Sequence, residues 1–520
     1  MATTFPTPLT QRFARVRFRT EPLGFVLASC ALAWPLWAVE RPALEDFPQH
    51  VAITALLHGY DTPELGFARD HVIDWGRSPH VLWYALSHAL AFLVGPLAAA
   101  KAVMTASLVG LPLAFRFLLA RAERPVALSW LALGLVWTGF VAYGFAQFVA
   151  GVAPMCVALG LGADARRPSG RAQLGLALCL VASFGMHVLC AAIAFFGVVA
   201  LRVAREGRHA WRSCLGVFGA AVVCAVWLFS TDASVDLLAM AGLAPARELA
   251  PPDWLAVVDI LPDATRWLSN VTQGGVDDRL FLGWVSALVF ATLVGQSGAG
   301  RLRGAWLLIV GVAWVGTLVL PATVGWIWPL NARLAWLAIL LGVVLIPAPR
   351  GRTRTLWVVV CGALALGRVA IVSDALGKVA SFEQAGLTDA MEAVPRGARA
   401  CGVMHDSHSS YMPFWPHHYA AAWVQAERGG SLVFSFVDHP STPVRWRDDP
   451  TRPTTGPTGF RPGQFDPADL DWCERVLVLN GPGAFESSTR FERVAHDGAW
   501  SVWAPSRRAG GDAQSTNQLP

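Results

Sequence analysis

Runs of apolar residues, each closed by a short polar or charged segment, recur along this chain from residue 22 to about residue 372. A run of roughly 17 to 25 such residues covers about 30 Å of hydrocarbon as a helix, and a helix satisfies its own backbone groups where water is absent. The runs fall at about 22–39, 80–95, 98–120, 126–142, 145–162, 173–186, 187–203, 213–230, 280–296, 304–321, 333–347 and 356–373. From residue 375 the pattern changes to short apolar pieces among charged residues, His, Pro and Gly. There "SFEQAGLTDAMEAV" (381–394) reads as a helix ended by Pro395. "ARACGVMH" (398–405) and "ERVLVLN" (474–480) read as strands, and "FERVAHDGAWSVWAP" as a closing hairpin. The predicted fold is a polytopic α-helical membrane protein with about 11–13 transmembrane helices over 22–373. A small α/β domain follows at 375–506, and 507–520 reads as a disordered tail.

One polar stretch breaks this rhythm early. "RPALEDFPQHVAITALLHG", residues 41–59, follows the first run and holds Glu45, Asp46 and His50 within six positions. Phe47, Val51, Ile53 or Thr54, Leu57 and Tyr60 recur at helical spacing, which predicts a short helix lying along the membrane surface. Pro48 falls in its first turn, where a missing N–H costs nothing. Asp46 then stands at or just before the helix N-terminus, a position from which a carboxylate can cap free amides.

Composition agrees with the pattern: 54% of the 520 residues are hydrophobic and 15% charged, too apolar for a soluble enzyme of this length. The net charge of +5 says less than its placement. Arg12, Arg15, Arg17 and Arg19 precede the first run, and "ADARRPSGR", "LRVAREGRHAWR", "GRLRG" and "PRGRTRT" separate later ones, which places these segments in the cytoplasm. Residues 41–79 carry six acids against three Arg, and 231–279 carry eight against three, so both loops are expected on the far side. The basic segment 1–21 lacks a cleavage signal after the first run and reads as the cytoplasmic start of a retained anchor. The expected location is a multi-pass inner or plasma membrane, N-terminus cytoplasmic and C-terminal domain extracytoplasmic. That arrangement needs an odd number of crossings, whereas twelve runs are counted, and the weak points are 80–120 and the Arg pair of "RAERP" at 121–125.

Seven of the nine cysteines sit in or beside apolar runs, where Cys packs as a small hydrophobe. Cys401 and Cys473 are the two in the soluble domain, and in an oxidising compartment they can pair. Phosphate-binding, nucleophile-elbow and dinucleotide motifs are missing, and topology already explains the Arg clusters, so nucleic acid is not an expected partner.

The order basic N-terminus, one span, "ED" opening a helix, then "RSPHVLWYALSHALAFLVG" resembles the C-type glycosyltransferase superfamily (GT-C), above all its protein-mannosyltransferase and aminoarabinose-transferase branches. The resemblance implies transfer of a sugar from a polyprenyl-phosphate donor to a glycan, lipid or protein acceptor outside the cytoplasm, among membrane lipids. It implies a catalytic carboxylate in the first outer loop. The superfamily pair is commonly Asp then Glu; here it is Glu45 then Asp46. Polyprenyl phosphate is a good leaving group, so transfer chiefly needs a carboxylate that deprotonates the acceptor and stabilises a cationic transition state. Asp46 is the first choice for this base and Glu45 the second. His50, one turn on, is expected to hold Asp46 or help ligate a divalent cation; no cofactor is otherwise expected, and "HDSH" at 405–408 is a poor zinc pattern. Arg333, at the edge of a span after two Trp, can grip a lipid phosphate. His187, at an outer turn, and Tyr143, Gln147 and Asn331 complete the expected substrate-binding groups. Two other readings stand beside the transferase: a transporter or flippase for a lipid-linked or polysaccharide precursor, and a non-catalytic envelope-assembly protein.

Overall fold

The computed structural model describes residues 21–166, 168–231, 253–295, 300, 302–324, 327–449, 452, 467–481, 483–486 and 489–506. Residues 1–20 of the basic N-terminus, 232–252 of the acidic loop and the 507–520 tail lie outside them. The apolar runs are helices: α1 (Glu21–Trp37), α2 (Phe47–Gly59), α3 (Val81–Val94), α4 (Pro96–Arg121), α5 (Ala146–Ala163), α6 (Gly170–Met186), α7 (Val188–Glu206), α8 (Leu215–Ser230), α9 (Val257–Ser269), α10 (Val276–Val294), α11 (Arg303–Val319), α12 (Leu330–Gly342) and α13 (Gly351–Lys378). Among the described residues, Pro96–Arg121, Ala146–Ala163, Val188–Ser213 and Gly351–Glu383 are long and apolar enough to cross a membrane by length and composition alone.

Polar contacts mark two ends of the bundle. At one, Arg116 pairs with Glu21 at 2.9 Å and Arg121 with Asp164 at 2.6 Å. At the other, Lys101 Nζ donates to the Val39 carbonyl at 2.7 Å and Gln147 Nε2 to the His80 carbonyl at 3.0 Å. Both ends of α3 lie at this second end, because His80 precedes it and α4, which follows at once, carries Lys101 in its second turn. The run at 80–95 therefore does not cross, contrary to expectation. It lies beside α2, with His50 against Tyr84 and His58 against Phe92. Removing it from the twelve runs leaves eleven, the odd number that the expected arrangement requires.

The run at 126–142 joins the two ends of the bundle as short pieces, Val126–Leu128, Ser129–Gly134 and Gly139–Tyr143. Breaks in a membrane helix expose carbonyls that need donors. Indoles supply them: Trp284 Nε1 donates to Leu131 O at 2.8 Å and Trp336 Nε1 to Leu135 O at 3.2 Å.

The C-terminal residues form the predicted α/β unit. Strands β2 (Arg399–Met404), β3 (Ser431–Leu432), β5 (Arg475–Leu479), β6 (Phe491–Asp497) and β7 (Trp500–Pro505) give a sheet ordered β3-β2-β5-β7-β6. β2 runs parallel to β3 and β5, and β6 and β7 form the antiparallel hairpin. Cys401 and Cys473 are disulfide-bonded with Cα atoms 5.8 Å apart. The helix expected at 381–394 is instead a π turn, Val379–Glu383, and a short helix, Leu387–Glu392.

This unit is bound to the 41–79 loop. β1 (His71–Ile73) pairs antiparallel with β4 (Val444–Trp446). Arg41 forks onto Glu427 at 2.6 and 2.8 Å, and Asp70 takes Arg399 at 2.7 Å and the Ser431 hydroxyl at 2.6 Å. Helix α14 (Ala421–Arg428) packs on α2, where Trp423 meets Phe47 edge-on at 6.4 Å. Twelve of the thirteen residues of α2 are consequently buried. The C-terminal unit covers the face that was expected to meet water.

Candidate active site

Asp46 occupies the N-cap position of α2, yet its side chain makes no capping hydrogen bond. The carboxylate instead lines a cavity of about 440 Å³. The turn after the broken pass holds it there: the Asp46 amide donates to Tyr143 O at 2.7 Å and the Glu45 amide to Ala142 O at 3.4 Å. Gly144 has φ +93°, and a Cβ there would stand 2.8 Å from the Phe47 nitrogen and 2.9 Å from that of Asp46. Only glycine fits this contact.

Glu45 faces the other way. It is fully buried and accepts from the Trp415 amide at 3.1 Å and from the Tyr143 hydroxyl, with His418 Nδ1 3.8 Å away. Burial pushes the His418 imidazole down to about 3, so this contact is made by a neutral ring. Burial, and then the neighbouring Asp46 charge, push the Glu45 carboxyl well above its ordinary range. Burial also lifts the Asp46 carboxyl well above its ordinary range, against the pull of Arg333. Adjacent in sequence, the two acids thus point to separate surroundings.

Arg333 lines the same cavity as Asp46, with no ion pair joining the two among the described residues. Its guanidinium donates to His187 Nε2 at 3.0 Å and to the Trp328 carbonyl at 2.7 Å, and it lies over the Phe145 and Phe148 rings, 4.4 and 5.2 Å from their centroids. Its Nε has no partner. An arginine fixed in this way on a cavity wall presents its positive charge to an anion bound there. His187 is the N-cap of α7 and stacks on His80 with centroids 5.1 Å apart.

Of the other expected residues, Gln147 lines the cavity and donates to the carbonyls of His80 and Ser441. His50 lines it too, but does not hold Asp46: its Nδ1 bonds the Tyr84 hydroxyl at 2.9 Å. Asn331 is not part of the wall, and its Oδ1 accepts from the next amide, Ala332, at 2.8 Å. Sequence reasoning missed His80, whose position in "RSPH" just before α3 was the available signal. It also missed the contribution of the C-terminal unit, where Tyr419, Phe436, His439 and Ser441 complete the wall. Among the described residues no group of three or more His, Cys, Asp or Glu side chains is placed to hold a metal ion.

No protein-family model matches the chain, and no curated protein matches it in sequence. Solved structures do match it. ArnT from Cupriavidus metallidurans bound to undecaprenyl phosphate is 13% identical with a TM-score of 0.54, covering 94% of this chain and 98% of that one. The same protein in the apo state gives 14% identity and a TM-score of 0.51 over 93% and 98%. The chain has a GT-C-like fold. In that frame the cavity lies where the helical bundle, the first loop and the C-terminal unit meet, and residues from all three line it.

Proposed function

We propose that this protein transfers a sugar from a polyprenyl-phosphate donor, with Asp46 as general base and Arg333 as the phosphate-binding cation. The observation that carries the reading is one cavity lined by an uncapped carboxylate and a buried arginine, in a fold shared with a protein solved bound to undecaprenyl phosphate. The volume of about 440 Å³ suits a sugar and a phosphate, within the usual range for ligand sites.

In this reading the acceptor hydroxyl attacks the anomeric carbon while the bond from that carbon to the phosphate oxygen breaks. The proton passes to the Asp46 carboxylate, and the bonding pair leaves on the polyprenyl phosphate, whose charge Arg333 balances. His187 positions Arg333: a guanidinium only donates, so Nε2 accepts and the imidazole is neutral. Glu45, turned toward Trp415 and Tyr143, is a positioning residue that ties the loop to the C-terminal unit. The loops 41–79 and 231–279 and the domain 375–506 are assigned to the extracytoplasmic side, and the basic ends of the spans to the cytoplasm.

The test uses the full chain in proteoliposomes with a panel of polyprenyl-phosphate sugars, reading release of polyprenyl phosphate. Release that depends on Asp46 supports the reading. Movement of an intact donor across the membrane without cleavage would replace it with a flippase. Failure of undecaprenyl phosphate to bind at all would remove the donor class.

A further inference from the structure

Trp267, in the last turn of α9, is 1% exposed and is not part of the wall of the cavity. It packs against residues that are. Its ring stacks on Phe145 with centroids 5.8 Å apart, meets Trp328 edge-on at 5.1 Å and lies against Tyr143 at 5.8 Å. These three wall residues carry the two groups assigned to the chemistry. The Arg333 guanidinium lies over the Phe145 ring and donates to the Trp328 carbonyl, and the Asp46 amide donates to the Tyr143 carbonyl.

Trp267 is itself held by three other parts of the chain. Arg368 of α13, 3% exposed, donates to the carbonyls of Leu268 and Ser269 at 2.8 and 2.7 Å, at the end of α9 where carbonyls lack partners within the helix. Phe414 of the C-terminal unit stacks on the indole with centroids 4.9 Å apart. The short helix Gly139–Tyr143 approaches so closely that a Cβ on Gly139 would stand 2.9 Å from the Trp267 carbonyl oxygen and 3.1 Å from its ring. A group of buried rings is by itself ordinary packing. Packing alone does not decide which groups rest on it. Asp46 and Arg333 make no ion pair with each other among the described residues, so their separation is set by what holds each of them. Trp267 is packed on the supports of both.

We propose that Trp267 is a positioning residue for sugar transfer, which sets the separation of the base Asp46 from the phosphate-binding Arg333 without touching the substrate. The inference rests on the transferase reading above. The chemical step needs the base at the acceptor hydroxyl and the cation at the leaving phosphate at the same moment, and a misplacement of about 1 Å costs about 100-fold in such an arrangement. Donor binding needs Arg333 alone, which keeps its contact with His187 when Trp267 is changed. Loss of the indole should therefore act on kcat more than on KM.

The test measures kcat, donor KM and melting of the full chain in proteoliposomes, well below the melting temperature of each variant, with polyprenyl-phosphate sugars as donors. Trp267→Leu should lower kcat by about tenfold to 100-fold, with a smaller change in donor KM. Trp267→Phe keeps a smaller ring in the stack and should fall between wild type and Trp267→Leu; it takes the place of Trp267→Leu if that variant does not fold. In an Asp46→Asn background the substitution should cost less than in wild type, because there is no longer a base to place. Trp357→Leu serves as the control: its indole is 3% exposed and bonds the Ala287 carbonyl between α13 and α10, so it should lower melting and leave kcat unchanged. An equal cost of the Trp267 substitution in both backgrounds, or an equal kcat loss in Trp357→Leu, would reduce Trp267 to a core residue and overturn the inference. Absence of cleavage by wild type would remove the transferase reading and this inference with it, whereas wild-type cleavage that no folded Trp267 variant slows would overturn this inference alone.

Discussion

The guanidinium of Arg333 is held by Nε2 of His187 at 3.0 Å in the wall of a cavity that Asp46 also lines, with no ion pair joining Arg333 and Asp46 among the described residues. Arg333→Lys keeps the charge and loses the fork and the hold of His187. Binding of undecaprenyl phosphate should weaken by about tenfold, the loss of one charge-assisted bond, and more than the chemical step. His187→Gln should weaken binding less in the Arg333→Lys background than in wild type, read in a double-mutant cycle.

Asp46→Asn removes the charge where no cap is at stake, so melting should stay near wild type while transfer falls by about 100-fold or more. Glu45→Gln should cost less in the chemical step and more in melting, because Glu45 bridges Trp415 and Tyr143. Wild-type transfer by Asp46→Asn would sink the base. Because burial lifts the Asp46 carboxyl, the acid limb of the pH–rate profile should lie above the ordinary aspartate range, and activity should fall as this group takes up its proton.

Asp70 joins the first loop to the C-terminal unit. Burial raises its pKa, but the bonds from Arg399 and Ser431 outweigh this and hold it below the ordinary aspartate value. A folded pKa below the unfolded one stabilises the fold above the unfolded pKa, near 3.9, and that contribution is lost as pH falls through the folded value. Asp70→Asn should therefore lower stability by about 1–3 kcal/mol at neutral pH, and the difference from wild type should shrink on acidification below pH 4. A constant difference down to acid pH would mean the charge is not involved.

The Cys401–Cys473 bond closes a segment with a sequence separation of 72. Replacing both by Ala should destabilise the C-terminal unit by about 2–4 kcal/mol, seen as a lower melting temperature that reducing agent reproduces in wild type. Equal melting with and without reductant would mean the bond does not form in the cell-derived protein.

Single cysteines can check the disposition of α3. Leu93→Cys, exposed at its end, should react with an impermeant thiol reagent from the same side as Asp497→Cys, and Arg208→Cys from the other. Labelling of Leu93→Cys from the Arg208 side would restore 80–95 as a crossing.

The sequence by itself determined what depends on neighbours a few residues apart. Helical runs, the turn at Pro48, the strands at 399–404 and 475–479 and the closing hairpin all follow from local periodicity and backbone preference. Charge counts distinguished two kinds of loop in the sequence, and "ED" marked the pair of which Asp46 lines the cavity. What only the tertiary structure decided depends on contacts across hundreds of residues. The Trp415 amide, 370 positions away, takes Glu45 and leaves Asp46 to the cavity, so two adjacent acids with the same local sequence signal differ in surroundings. The packing of α14 on α2 buries a helix whose spacing read as half-exposed, because periodicity reports that a face is apolar but not what covers the opposite face. The run at 80–95 has the composition of a span and lies beside α2 instead, since a 14-residue apolar helix can be buried against protein as well as lipid. His80, Tyr419, Phe436, His439 and Ser441 enter the cavity wall from three separate stretches of chain, and no spacing within any one of them could have brought them together.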